Sequence, residues 1–122
     1  MRTFGTGGRL ADVEARIEAE MRAASAEGWI LTDAAGLGDP VAKCCCALGA
    51  VGREKIGQFE DVHAKICNTL GIKDGEFADI GSGFDGESFD PDTNENVAMG
   101  RRLRVLADRL NLERVQRVGA QT

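Results

Sequence analysis

The residues of this sequence best suited to chemistry are its four cysteines and its one histidine. Three of the cysteines are consecutive, at Cys44, Cys45 and Cys46, and the fourth, Cys67, follows His63 by four residues. Residues four apart share one face of a helix, and histidine and cysteine are both common zinc ligands. One interpretation of the pattern is therefore a metal site formed by Cys44, His63 and Cys67.

Two observations count against a metal. A structural zinc site normally takes four protein ligands, and the chain has neither a second histidine nor a second paired motif. His63 also falls between Phe59 and Ile66 in an apolar stripe, where a half-buried, hydrogen-bonded histidine is the commoner outcome. We therefore expect no metal and no other cofactor, with Cys44, His63 and Cys67 as the alternative ligand set.

The same side chains could support nucleophilic catalysis, with Cys45 or Cys46 attacking and His63 as the base. The chain contains no nucleophile elbow, phosphate-binding loop or paired-histidine metalloprotease motif. Three consecutive residues point in three directions on a helix, and cysteine is among the most often buried residue types. We expect buried, reduced thiols and no catalytic residue, and keep a small thiol- or metal-dependent enzyme using Cys45, Cys46 and His63 as an alternative.

Acidic residues are concentrated between Asp74 and Glu95, where eight carboxylates occur without a basic residue. The glycines and Pro91 of this segment predict a long loop over residues 73–92, and a loop of that length is either functional or partly disordered. Aromatic anchors beside charges are typical of a docking surface, so we expect a protein partner with a basic surface. The residues expected to contact it are Phe84, Asp85, Glu87, Phe89, Asp90 and Asp92. A second alternative is an anti-defence protein whose carboxylates imitate nucleic-acid phosphates.

Two short patterns in this segment resemble ligand-binding loops. Residues 81–86 match the G-x-G-x-x-G string of dinucleotide-binding turns, but no apolar strand precedes them and the nearby carboxylates would repel a phosphate. Residues 90–94 resemble the opening of a calcium loop, but Glu95 and Arg101 stand where a glycine and a bidentate glutamate are required. We expect neither ligand.

Apolar spacing predicts the helices that must position these side chains. Three- and four-residue steps predict helices over residues 10–28, 56–70 and 94–110, and the tail through Val118 can continue the last of them. Gly71 predicts a left-handed cap at the end of the second of these helices, and Thr93 or Asn94 predicts the N-cap of the third. Asp39 and Pro40 predict the start of a further helix, which reaches Val51 and should be buried because it lacks a charged face. Residues 29–31 are too few for a helix and predict an inward-facing connector or a short strand.

Composition narrows the function classes. The 122 residues fit a single helical domain over 1–122, with 1–8 expected to be a flexible N-terminal tail. The chain is 43% hydrophobic and 29% charged, without an apolar run long enough to span a bilayer or a secretory signal, so we expect a cytoplasmic protein with no membrane partner. The net charge of −5 argues against direct nucleic-acid binding. The sequence leaves the oligomeric state open.

Three short motifs carry a resemblance to a known group of proteins: residues 44–50, with the sequence Cys-Cys-Cys-Ala-Leu-Gly-Ala, residues 83–86, with Gly-Phe-Asp-Gly, and residues 100–103, with Gly-Arg-Arg-Leu. In these motifs the chain resembles small uncharacterised proteins of bacteriophages and actinobacteria that carry a Cys-Ala-Leu-Gly helix. The resemblance extends over about residues 10–110 and implies an origin in a phage or mobile element. It implies no catalytic residue.

Taken together, these observations predict an all-α fold, a compact bundle of about four helices with a long acidic, glycine-rich loop between the third and the fourth. They predict a non-enzymatic interaction or regulatory protein, encoded by a phage or mobile element, that binds a host protein.

Overall fold

A computed structural model of the chain describes residues 5–32, 44–55, 62–86 and 94–120. Within these residues the fold is all-α, as predicted, with five α-helices and one pair of two-residue strands. The elements are α1 (Gly5–Ala26), β1 (Ile30–Leu31), β2 (Cys44–Cys45), α2 (Ala47–Val51), a 3₁₀ turn (Arg53–Lys55), α3 (Val62–Leu70), α4 (Asp74–Asp85) and α5 (Glu95–Ala120). None of the described helices is both long and apolar enough to cross a membrane.

Helix α1 supplies one wall of the core through the stripe predicted from its spacing. Val13, Ile17, Met21 and Ala24 are all buried. The helix ends before Gly28, whose backbone φ of +100° is one that residues other than glycine rarely adopt. Its first residue is Gly5, so part of the segment predicted to be a flexible tail is helical.

Helix α4 occupies most of the segment predicted to be a loop, and that prediction is wrong for residues 74–85. Four glycines of this segment suggested a loop, but Gly81 and Gly83 lie inside the helix. A Cβ atom on Gly83 would come within 2.1 Å of the Val97 carbonyl oxygen. On the facing helix, a Cβ on Gly100 would come within 2.1 Å of the Ile80 carbonyl oxygen. These two glycines let the backbones of α4 and α5 pack in direct contact. Because residues 81–83 are helical, they do not form the glycine-rich turn that binds a phosphate.

The triple cysteine does not form a helix, contrary to the helix predicted from Pro40 to Val51. Cys44 and Cys45 form β2, which pairs in parallel with β1 in the register Ile30 to Cys44 and Leu31 to Cys45. Cys46 is the N-cap of α2, and its Sγ accepts a hydrogen bond from the backbone N–H of Gly49 at 3.3 Å. All five residues of α2 are buried, which confirms the predicted burial of this region. The predicted start at Asp39 and Pro40 lies outside the described residues.

Helix α5 runs past the core and supports the strand pair. It begins after Asn94, whose side chain accepts hydrogen bonds from the backbone N–H groups of Asn96 and Val97, as the predicted cap requires. The Asn111 side chain accepts a hydrogen bond from the Leu31 N–H at 2.9 Å and donates one to the Leu31 carbonyl at 2.6 Å. An amide side chain therefore takes the place of a third strand beside β1.

Arginine pairs tie α1 to the rest of the bundle. The Arg53 guanidinium forms ion pairs with the carboxylates of Glu20 and Glu27. Arg102 bonds Glu14 through two hydrogen bonds of 2.9 and 2.6 Å. One arginine of α5, Arg102, is thus engaged with α1.

Candidate functional site

The turn between α3 and α4 gathers three potential metal ligands. Helix α3 ends at Leu70, and Gly71, with φ of +68°, provides the predicted left-handed cap. Helix α4 begins three residues later at Asp74. The tight turn brings Asp74 beside His63 and Cys67, which share one face of α3 as their spacing predicted. One ligand atom from each of the three residues lies within 4.8 Å of the other two.

The polar contacts of the cluster are short and converge on one carboxylate oxygen. Asp74 Oδ1 lies 3.3 Å from His63 Nε2 and 3.8 Å from Cys67 Sγ. The His63 ring stacks on Phe77, with 4.1 Å between ring centroids and 17° between ring planes. Because Phe77 follows Asp74 by three residues on α4, the same face of this helix orients the imidazole and supplies the carboxylate.

Arg9 of α1 fixes this turn through hydrogen bonds to Gly71 and Glu76. Its guanidinium donates to the Gly71 carbonyl at 3.0 Å and to both carboxylate oxygens of Glu76 at 2.9 Å. Glu76 also accepts from the Lys73 N–H at 3.0 Å, so the first turn of α4 is capped and clamped. The Arg9 hydrogen bonds are the main reason why the pKa of Glu76 falls to about 2.

Exposure differs among the three cluster residues. The Cys67 residue is only 7% exposed, whereas the side chains of His63 and Asp74 are 52% and 88% exposed. Burial, followed by the neighbouring Asp74 carboxylate, raises the pKa of the Cys67 thiol. The thiol therefore remains protonated and donates to the carboxylate. The cluster sits at the surface with its sulfur on the protein side.

The triple cysteine forms a different environment. Cys45 and Cys46 are buried in the core, and Cys44 is half-buried. Burial is the largest cause that raises the pKa of Cys45 to about 12 and that of Cys46 to about 11. Thiols with such pKa values contain almost no thiolate at neutral pH, so neither fits the nucleophile of the alternative enzyme. Cys44 is not part of the cluster around His63, where Asp74 stands instead.

The expected partner-binding residues are only partly within the described structure. Phe84 is 2% exposed in α4, with Arg104 of α5 above its ring at 5.4 Å, so it forms part of the core and offers almost no contact area. Asp85 is the exposed last residue of α4. Glu87, Phe89, Asp90 and Asp92 lie outside the described residues.

A surface that the sequence did not reveal lies on α5. Val105, Leu112 and Val115 are 61%, 58% and 56% exposed, and they are the exposed large apolar residues of the described chain. Their steps of seven and three residues place them along one side of the helix. We call this side the outer face of α5. The stripe was missed because the core residues of the same helix satisfy helical spacing by themselves.

Comparison of the chain with protein-family models, with curated proteins and with solved structures finds no match.

Proposed function

We propose that this chain is a non-enzymatic interaction protein that binds a protein partner through the outer face of α5. The supporting observation is the exposure of Val105, Leu112 and Val115, each more than half accessible on one side of a 26-residue helix. Exposed apolar residues grouped on one side are typical of protein interfaces, whereas scattered ones are normal on any surface.

The position of the stripe within the helix supports this proposal. Leu103, Leu106 and Leu110 bury the opposite side of α5 in the core. No residue of α5 from 111 to 116 is buried. A helix of 26 residues is about 39 Å long, so its C-terminal part presents apolar side chains without a described neighbour to cover them. Helices gain most of their stability from packing an apolar face, and a partner would supply that packing.

The polar residues around the stripe indicate the chemistry of the partner. Val105 lines a shallow groove between the end of α4 and α5, together with Asp85, Asp108 and two arginines, Arg101 and Arg104. Asp85 belongs to the acidic segment for which we expect a basic partner. We therefore propose a partner with an apolar centre, which covers the outer face of α5, and basic residues at its edge, which approach Asp85.

Other interpretations receive less support. An enzyme based on Cys45 or Cys46 would need a thiolate that their burial disfavours. A nucleic-acid mimic would present mainly carboxylates, whereas the outer face of α5 presents apolar residues. The proposal that the partner is a host protein, and that the chain comes from a phage or mobile element, depends on the resemblance to small bacteriophage proteins alone.

A pair of matched variants tests the proposal. In the first, Leu112→Glu and Val115→Glu place two charges in the stripe. In the control, Ala15→Glu and Ala19→Glu place two charges on exposed positions of α1. Each protein is immobilised, exposed to a lysate of the source host, and the bound proteins are quantified by mass spectrometry, after circular dichroism has established equal helicity. We expect the proteins enriched by the wild type to be lost from the first variant and kept by the control.

Equal capture by all three proteins would refute the proposal. Concentration-dependent self-association that only the first variant abolishes would identify the occupant of the outer face as a second copy of the chain, again contradicting the proposal of a different partner.

A further inference from the structure

The cluster at the turn between α3 and α4 has the dimensions of a metal site. Zinc binds histidine nitrogen at about 2.0–2.1 Å, carboxylate oxygen at about 2.0–2.2 Å and cysteine sulfur at about 2.3 Å. Tetrahedral ligands at these distances are separated from one another by about 3.3–3.6 Å. His63 Nε2 and Asp74 Oδ1 are 3.3 Å apart, and Cys67 Sγ and Asp74 Oδ1 are 3.8 Å apart. The ligand atoms of His63 and Cys67 lie within 4.8 Å of each other. Side-chain rotations would bring the three ligand atoms to the tetrahedral separations around one ion.

We propose that His63, Cys67 and Asp74 bind one zinc ion. The three residues supply one nitrogen, one sulfur and one oxygen, a mixed set that zinc accepts and that harder cations such as magnesium and calcium do not favour. Cys67 loses its thiol proton to solvent when the sulfur binds the metal. The resulting thiolate and the Asp74 carboxylate together balance the charge of the dication.

The surroundings of the cluster fit this role. Phe77 fixes the plane of the His63 ring, and Arg9 fixes the turn that carries Asp74, so the ligands are held from both sides by residues that do not bind the metal. Supporting residues of this kind orient the ligands in metal sites. With the buried sulfur beneath and the exposed His63 and Asp74 at the rim, the fourth position of the tetrahedron faces solvent and takes a water molecule.

This ligand set differs from the one considered from the sequence, because Asp74 replaces Cys44. A closed, structural zinc site needs four protein ligands, which is why the sequence by itself disfavours a metal. A site that keeps one position for water needs only three protein ligands, and Asp74 provides the third.

Zinc titration of the full-length chain tests this proposal. The protein is kept reduced, stripped with a chelator, and titrated with zinc chloride in competition with a chromophoric chelator. Three ligand variants are compared with the wild type: His63→Phe, which preserves an aromatic ring against Phe77, Cys67→Ala and Asp74→Asn. Cys44→Ala is the control, because Cys44 belongs to the alternative ligand set. Cobalt(II) is then added in place of zinc, and its near-ultraviolet thiolate charge-transfer absorption reports a sulfur ligand directly.

We expect the wild type and Cys44→Ala to bind one zinc per chain with equal affinity. Each ligand variant should bind more than about tenfold more weakly, and Cys67→Ala should lose the cobalt charge-transfer band. Absence of saturable binding by the wild type would overturn the proposal. Unchanged affinity in His63→Phe or Cys67→Ala would also overturn it, as would a loss of affinity in Cys44→Ala with none in Asp74→Asn. His63 is exposed, so its variant separates loss of metal from loss of fold.

Discussion

The environment of Cys45 and Cys46 differs from that of Cys67, and the neighbouring residues cause the difference. Cys45 and Cys46 lie in an apolar core, where burial keeps their thiols protonated. Cys67 lies at the edge of the bundle beside an imidazole and a carboxylate. Residue type alone therefore does not identify the cysteine best placed to bind a metal. The triple cysteine is the more conspicuous sequence feature, but the geometry favours the single cysteine on α3 for metal chemistry.

The buried thiols predict a specific loss of stability in alkali. The ordinary thiol pKa is 9.0, and the folded protein raises the pKa of Cys45 to about 12. Above about pH 9 the unfolded chain releases this proton while the folded chain retains it, so the unfolded state binds fewer protons and stability falls as the pH rises. For one such thiol the free energy of unfolding should decrease by about 1.4 kcal/mol per pH unit until the folded thiol also ionises.

Urea denaturation of the reduced protein between about pH 8 and pH 11 measures this slope. Cys45→Ala should flatten the slope by about the contribution of one thiol. Val51→Ala is the control, because it also removes buried apolar atoms but no titrating group. It should lower the free energy of unfolding by the same amount at every pH and leave the slope unchanged. If Cys45→Ala and the wild type showed parallel curves, the buried assignment of this thiol would be wrong.

At the scale of elements, the pairing of α4 with α5 explains glycines that otherwise argue against a helix. Each glycine inside a helix costs up to about 1 kcal/mol relative to alanine. Gly83 and Gly100 are needed because the other helix backbone occupies the space of their Cβ atoms. Gly81 has open space at its Cβ position. Close packing therefore accounts for Gly83 and Gly100, and only the packed pair of helices reveals it.

This packing predicts opposite effects for two alanine substitutions. Gly100→Ala places a methyl group within 2.1 Å of the Ile80 carbonyl oxygen, so the helices must separate. The free energy of unfolding should drop by about 1–3 kcal/mol or more. Gly81→Ala, in α4 with nothing within 4 Å of its Cβ position, should leave stability unchanged or raise it by up to about 1 kcal/mol. Chemical denaturation of the two variants beside the wild type provides the comparison, and a stable Gly100→Ala protein would contradict the close contact.

Local patterns in the sequence predict the elements whose side-chain spacing is regular. The stripes of α1 and α5, the Gly71 cap and the Asn94 cap are all found where the sequence placed them. Helix α4 and strand β2 were mispredicted because their conformations depend on distant partners. Strand β2 pairs with β1 across an intervening stretch of chain, and α4 requires the facing backbone of α5.

The candidate site also combines a feature that local spacing predicts with one that depends on the packing of a second helix. The four-residue spacing of His63 and Cys67 was sufficient to place them on one face of a helix. Asp74 is not predicted to join them, because the glycines of its segment predict a loop. A signal was present, since Gly71 predicts a sharp end to α3, and an acidic residue at the start of a helix just beyond that end lies close to the last turns of α3.

In the whole molecule, the two sides of α5 have different surroundings. One side completes the core with α1 and α4, and the Asn111 amide on the same helix supports β1. The outer face carries Val105, Leu112 and Val115 on the surface. The candidate metal cluster lies on other elements, at the turn between α3 and α4, so the interaction proposal and the zinc proposal can fail independently.

Site-specific photocrosslinking tests whether the outer face of α5 binds a protein partner. A photoreactive phenylalanine derivative replaces Leu112 in one protein and Ala15, an exposed residue of α1, in the other. Both are produced in cells of the source organism, irradiated and examined for covalent adducts by mass spectrometry. We predict a discrete adduct with a partner protein from position 112 and none from position 15. No adduct from position 112, or the same adducts from both positions, would contradict it.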